Sequence, residues 1–327
     1  MKHRFLLRIG MALALLGMTG LLAGCATERR ERAEPPPDQL VVGFSQMEMT
    51  NPWRIAETIS IQQAAEEAGA SIVIRDAESS AEQQVTDCLE LLSMPVDYLV
   101  LAPRLDEGYQ RVFEAARDAG IPVILVDRET AGTPGLDYAC CITADFAWEG
   151  KTCARILEEA FEGKRCQVVE LTGTPGSFVA KVRSEAFAQE AARYPNMDIV
   201  FSASGDFVRT TAQATMESIL QTREVEFQAI FAHDDDTGIG AIQALKGAGL
   251  VPGKDVLVVS IAGQKDALKA IIAGELLASV ECNPRLGGYL FDTILAMENG
   301  EEYDSRIVYS GMVYDASNAE ECFNRAF

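Results

Sequence analysis

The chain has 327 residues, 48% of them hydrophobic, with 49 acidic against 28 basic side chains and a formal net charge of −21. That balance excludes nucleic acid and polyanionic ligands as partners, because the field of the whole surface repels them. It leaves enough apolar residues for a sizeable core, and the length suggests two domains.

The first predicted element is a leader. Lys2, Arg4 and Arg8 precede the apolar run IGMALALLGMTGLL, which closes on LLAGC and Cys25. A charged n-region, an apolar h-region and small residues before a cleavage point make an export signal. The run is short for the ~20 residues that a membrane-spanning helix needs. LLAGC resembles the lipobox of bacterial lipoproteins, which implies loss of residues 1–24 as a signal peptide and a lipid on Cys25 as the new N-terminus. The expected location is extracytoplasmic, lipid-anchored to the outer face of the cell membrane or facing the periplasm. Cleavage removes three basic and no acidic residues, so the net charge moves from −21 to −24. Residues 25–39, containing ERRERAEPPPDQ, read as a stiff polar tether that holds the body off the membrane, and no other segment reads as a bilayer span. Seven further cysteines remain, Cys88, Cys140, Cys141, Cys153, Cys166, Cys282 and Cys322. Their odd number and the lack of C-x-x-C spacing argue against a zinc site, and one disulfide among otherwise small core thiols stays open.

After the tether, apolar β-branched runs alternate with amphipathic helical patterns. QLVVGFS predicts a strand, 52–69 a helix, ASIVIRD a strand, 80–93 a helix, DYLVLAP a strand, 107–120 a helix and PVILVDR a strand. The rhythm then repeats: YACCITA, a helix from Asp145 to Glu162, CQVVELTG, a helix over 178–193, MDIVFSAS, a helix over 209–222, FQAIFAH, a helix over 235–248, DVLVVSIAG, a helix over 264–274 and LLASVECN. Near-continuous apolar strands between amphipathic helices are how parallel strands covered on both faces read. The chain is therefore α/β, with two doubly wound, Rossmann-like lobes. Two lobes in one chain leave a cleft, and open parallel sheets bind ligands beyond the carboxyl ends of their strands.

The residues just past those ends are the candidates. Ser45, Asn51, Trp53 and Arg54 follow the first strand, and Asp127 and Arg128 the fourth. In the second half, Arg183 follows Thr172 and Gly173, Asp206 and Phe207 follow MDIVFSAS, and Asp234 opens the run Asp234, Asp235, Asp236. A sugar lays its C–H faces on aromatic rings, takes paired hydrogen bonds from arginine and donates its hydroxyls to carboxylates, so this set suits one. Taken singly, each residue also has a purely structural role. Trp53 after Pro52 fits a hydrophobic staple, Asp127 and Arg128 a surface pair, Trp148 a core or interface position, and Asp235 and Asp236 an N-cap and first turn. Their shared address at five strand ends favours a ligand site, with only Asp234 of its run sent into the cleft.

Enzyme chemistry finds little support. Once the leader is removed His233 is the single histidine, and no Ser-His-Asp or Cys-His set suggests itself around it. GTPG and GIGAIQAL lack the third glycine or the Lys-Ser/Thr of phosphate loops, and the aspartate run lacks EF-hand spacing. No cofactor and no metal are expected.

The blocks VGFSQ…NPWRIAET, DRE, VVELTGTPGS, SGDFVRTTAQATMESIL, AHDDDTGIGAIQALKGAGLVPGKDV and AGELLASVECNP resemble the ribose-type periplasmic sugar-binding proteins of ABC transporters, and among them the galactofuranose-binding branch. The resemblance runs from about Val41 to the C-terminus. It implies the type I periplasmic binding protein fold, with a hinge crossed near Thr143, Cys282 and Ser310. Residues 40–143 with 283–309 would form the N-terminal lobe and 144–282 with 310–327 the C-terminal lobe. It also implies a monomer that closes on a monosaccharide and hands it to a membrane permease; a sensor that presents a sugar, nucleoside or signal molecule to a receptor is the alternative. By matched positions Ser45, Asn51, Trp53 and Arg54 are first-loop contacts, Asp127 and Arg128 the hydroxyl-binding pair, Arg183 the arginine and Phe207 the stacking aromatic of the second lobe. Asp234 stands where asparagine is usual. Ala262, in VSIAGQKD, stands where family members commonly carry aspartate, so a hydroxyl acceptor is missing there.

Overall fold

A computed structural model describes residues 39–222 and 224–327. The leader, Cys25 and nearly all of the tether lie outside the described residues. The first half alternates β1 (Val41–Gln46), α1 (Pro52–Glu67), β2 (Ser71–Asp76), α2 (Ala81–Leu92), β3 (Tyr98–Leu101), α3 (Gln110–Ala119), β4 (Val123–Asp127) and β5 (Cys140–Ala144). The second continues with α4 (Phe146–Phe161), β6 (Cys166–Thr172), α5 (Phe178–Ala191), β7 (Met197–Ser204), α6 (Arg209–Thr222), β8 (Ala229–Ala232), α7 (Asp235–Gly247), β9 (Leu257–Ala262), α8 (Lys265–Ile272) and β10 (Ala278–Glu281). Four elements follow that the sequence pattern did not single out: α9 (Gly287–Glu298), β11 (Arg306–Tyr309), β12 (Val313–Asp315) and α10 (Ala319–Cys322).

The strands form two six-stranded sheets, ordered β11-β5-β4-β3-β1-β2 and β12-β10-β9-β8-β6-β7. Every pairing is parallel except that of β12 with β10. The chain leaves the first sheet after β5, returns to it for β11 and ends in the second with β12. Three passages therefore join the sheets. The late strands escape the sequence pattern because they are edge strands, mostly exposed or half-buried, and so lack the continuous apolar run of strands covered on both faces.

Local chemistry fixes where the helices begin, and with them the rim of the cleft. Asn51 caps α1 by accepting from Trp53 N at 2.8 Å, with Pro52 in the first turn. Ser177 caps α5 and Asp145 caps α4. One apolar cluster holds residues of both sheets, Phe44, Val126 and Ile142 from the first and Val168, Phe231 and Val280 from the second, with Trp53, Phe207, Ala262 and Cys282 among them. All seven cysteines among the described residues are buried free thiols, and burial pushes Cys88 up to about 12 and Cys140 to about 11. They are inert core residues at neutral pH.

Candidate functional site

The carboxyl ends of the two sheets face one cavity of about 450 Å3, counting its open mouth. Its wall holds Asn51, Trp53, Arg54, Asp127, Arg128, Arg183, Phe207 and Asp234, eight of the nine residues singled out from the sequence, together with Glu48, Val179, Ala262 and Cys282.

Ser45 is the exception. Along β1 the side chains alternate: Val42 and Phe44 join the cluster that holds Trp53, while the Cα of Gly43 faces Leu91 and Val96. Two residues on, Ser45 shares the face under α2, fully buried, with the weakly bonding Cys88 thiol beside its hydroxyl. Ser45 therefore belongs to the packing of the first lobe and not to the cavity wall. Ser45→Ala is expected to leave ligand affinity within twofold and to change the melting temperature little, since the hydroxyl meets only the Cys88 thiol, a weak partner. A tenfold loss of affinity in titration calorimetry would put Ser45 back at the ligand.

On the first lobe, Arg54 donates to Glu57 at 2.9 Å and to Asp127. Both of these carboxylates are buried. Burial works against the Arg54 charge, and Asp127 and Glu57 more than offset it, so its pKa lies above the ordinary arginine value. Glu57 goes the other way: burial raises it, and Arg54 holds it down only in part. Asp127 ends β4 at φ 64°, a left-handed conformation that an aspartate tolerates better than most residues; Thr143 pins it by donating to its carbonyl at 2.7 Å. Its Oδ2 also takes a 3.2 Å bond from Arg128 Nε, while Oδ1 receives none from the described residues. Arg128 is the least neutralised of the three arginines. Burial, then Arg54, push its pKa down to about 10, so it gains most from a further acceptor.

On the second lobe, Arg183 donates to Glu149 at 2.8 Å and to the carbonyl of His233 at 2.8 Å. Burial lowers its pKa and Glu149 raises it, with the net shift upward. Phe207, also left-handed at φ 57°, lies over Gly173, where an added Cβ would fall 1.9 Å from the ring. That glycine is what lets the aromatic lie flat. Asp234 caps α7 by accepting from Thr237 N at 2.8 Å. The sequence reading gave the cap to Asp235, which instead lies inside, bonded by Ser260, Ser279 and Gln264 N; Asp236 pairs with Arg209. Burial, then Asp236, raise Asp234 to about 6, and burial raises Asp235 to about 7.

The lobes touch across the cavity. Asn51 Nδ2 donates to the carbonyl of Phe207 at 3.1 Å, Trp53 Nε1 to that of Cys282 at 2.7 Å, and the Arg128 guanidinium sits 5.5 Å from the Phe207 ring. Trp148 is half-buried against the core, as its helical spacing suggests. Among residues not expected as ligand contacts, Glu48 obeys the same strand-end rule, Cys282 lines the wall as well as lying at the expected crossing, and Glu57 stands one helical turn from Arg54. Glu149 carries no such signal, because its partner lies on another helix. Two aromatic rings, three guanidinium groups and three carboxylates around one small volume can stack on a ring and hydrogen-bond vicinal hydroxyls.

Known proteins point the same way. Residues 42–302 match the periplasmic binding protein domain family. The galactofuranose-binding protein YtfQ of Escherichia coli K12 is 40% identical over 257 residues, 78% of this chain and 81% of that one. The ribose import binding protein RbsB of Bacillus subtilis 168 is 30% identical over 83% of this chain and 86% of its own length. Among solved structures, a galactofuranose-binding protein superposes with a TM-score of 0.85 at 37% identity, covering 88% of this chain and 98% of that one. The binding protein of an arabinose ABC transporter from Shewanella sp. ANA-3, bound to α- and β-L-arabinofuranose, superposes at 0.84 with 33% identity, covering 87% and 95%.

Proposed function

The chain belongs to the periplasmic binding protein family, and on that premise we propose that it captures a monosaccharide, in furanose or related pentose or hexose form, and delivers it to an ABC permease. It is a binding protein and not an enzyme. The observation that carries the reading is the convergence of Trp53 and Phe207 with Arg54, Arg128, Arg183, Asp127 and Asp234 on one cavity. The relatives named for galactofuranose and arabinofuranose favour a five-membered ring. The first lobe, residues 40–143 with 283–309, closes on the second, residues 144–282 with 310–327, by bending at the three passages between the sheets. The protein acts outside the cytoplasm as a monomer, held at the membrane by a lipid on Cys25.

Thermal unfolding against furanose and pyranose sugars, polyols and nucleosides tests this. Ligand at ~100 times its dissociation constant adds ~2.7 kcal/mol of stability, about 4 °C for a chain of this size. A shift with nucleosides and with no sugar would overturn the sugar reading.

Asp234 gives the binding a pH dependence. Its pKa of about 6 lies above the usual aspartate value, so below pH 6 the free protein carries a proton that a hydroxyl-donating ligand must displace. Affinity is therefore expected to fall up to tenfold per pH unit below about 6 and to be flat above 7. Burial sets that pKa first, Asp236 raises it further, and Thr237 and Arg183 hold it down; the buried Asp235 lies beside it and is itself raised. Calorimetry from pH 5 to 8 measures the slope; Asp234→Asn should remove it, and a slope that survives in the variant assigns it elsewhere.

A further inference from the structure

We infer that Asn51 is a positioning residue that catches the backbone of Phe207 across the cavity, so that approach of the two sheets and seating of the stacking ring are one event; this rests on the sugar-binding reading above. By sequence Asn51 falls among the ligand contacts, but both ends of its amide are engaged by the protein. The oxygen accepts from Trp53 N at 2.8 Å as the cap of α1, and the nitrogen donates to the Phe207 carbonyl at 3.1 Å. The cap fixes the rotamer, and the rotamer aims the donor. Asn51 follows β1 and Phe207 follows β7, strands of different sheets, so the bond forms only when the two strand ends face each other this closely.

Phe207 needs a hold from outside its own loop. Asp206 at φ 56° and Phe207 at φ 57° are two left-handed residues in succession, and for a bulky side chain that region is an outlier. The residues before it are tied to their own sheet: Gly205 N donates to the Thr172 carbonyl at 2.7 Å and Asp206 N to Ser204 Oγ at 3.1 Å. The Phe207 carbonyl, by contrast, receives no backbone N–H from the described residues, and Asn51 is what pairs it. The ring itself is buried over Gly173, with the Arg128 guanidinium of the opposite sheet 5.5 Å away. Two residues that follow strands of the first sheet therefore meet one strained residue that follows a strand of the second.

When the sheets part, the Phe207 carbonyl turns to water; when they approach, it needs the amide. Without that donor the approached form holds an unpaired carbonyl, which weakens ligand binding about 5- to 150-fold. The penalty falls on the form that retains the ligand, so it raises the rate of dissociation. It is also the same for every ligand, whatever hydroxyls the ligand carries. One N–H of the amide remains over, and a sugar bonded to it would instead make the loss depend on a particular hydroxyl.

Asn51→Ser and Asn51→Asp test this, since both keep an oxygen for the helix cap and lose the amide donor. Calorimetry and stopped-flow tryptophan fluorescence on the whole protein, with D-galactose, L-arabinose and the monodeoxy derivatives of each, give affinity and dissociation rate. Each variant is expected to weaken every sugar that the wild type binds by ~10-fold, through faster dissociation and by one common factor, with the melting temperature of the ligand-free protein unchanged. A loss that disappears for one deoxy derivative would place a sugar hydroxyl on Asn51 itself and overturn the inference while the sugar reading stands. Affinities within twofold of wild type in both variants would overturn it as well. If the wild type binds no member of either series, the sugar reading falls and takes the inference with it.

Discussion

Arg54→Ala is expected to lower the unfolding free energy by about 3 to 5 kcal/mol, measured by denaturant titration at pH 7 without ligand. The guanidinium is the shared counter-charge of Glu57 and Asp127, both buried in the wall of the first lobe. Burial already raises the pKa of Glu57, with Arg54 the main opposing influence. Without Arg54 the native state binds more protons than the unfolded chain over the range above the ordinary glutamate pKa. The variant therefore gains stability as pH falls from 8 to 5, the sign opposite to a salt-bridged carboxylate. Adding Glu57→Gln removes the stranded charge and is expected to restore about 1 to 3 kcal/mol. A loss under about 1 kcal/mol in the single variant would mean that water screens the pair.

Asp127→Ala is expected to weaken ligand binding by about 100-fold or more, read by calorimetry at pH 7. One carboxylate oxygen gathers Arg54 and Arg128, so the substitution removes a hydroxyl acceptor and also frees two neighbouring guanidinium groups to repel each other. Loss of one member of a buried hydrogen-bonded charge pair costs about 2 to 5 kcal/mol in binding. Asp127→Asn keeps the shape and an acceptor, and should fall between wild type and the alanine variant. The left-handed backbone at φ 64° suits asparagine nearly as well as aspartate, so this control separates charge from strain. Equal affinities for wild type and Asp127→Ala would remove Asp127 from the ligand's contacts.

The two expected effects separate folding from binding within one charge cluster. Arg54 faces two carboxylates of the protein, so its loss is felt without ligand; Asp127 keeps an oxygen for the ligand, so its loss is felt most with it. Arg183 with Glu149 repeats the first arrangement on the opposite lobe.

The sequence by itself determined the α/β class, the repeat of two doubly wound halves and the strand ends at which the site lies, because buried parallel strands and amphipathic helices write their periods directly into the chain. Trp53, Arg54, Asp127 and Phe207 were legible for the same reason: their place just past a strand is a one-dimensional fact. Tertiary structure alone decided which way those ends point. A shift of one residue along β1 sends Ser45 under α2, and an N-cap one residue earlier than expected turns Asp234 into the cap and draws Asp235 inside. It also decided that Glu149 on α4 neutralises Arg183 on α5, and that Cys282 and Ala262 meet in the wall of one cavity. Each of these depends on a contact between segments distant in the chain, or on a single backbone dihedral such as φ 142° at Ala262, and neither leaves a period in the sequence.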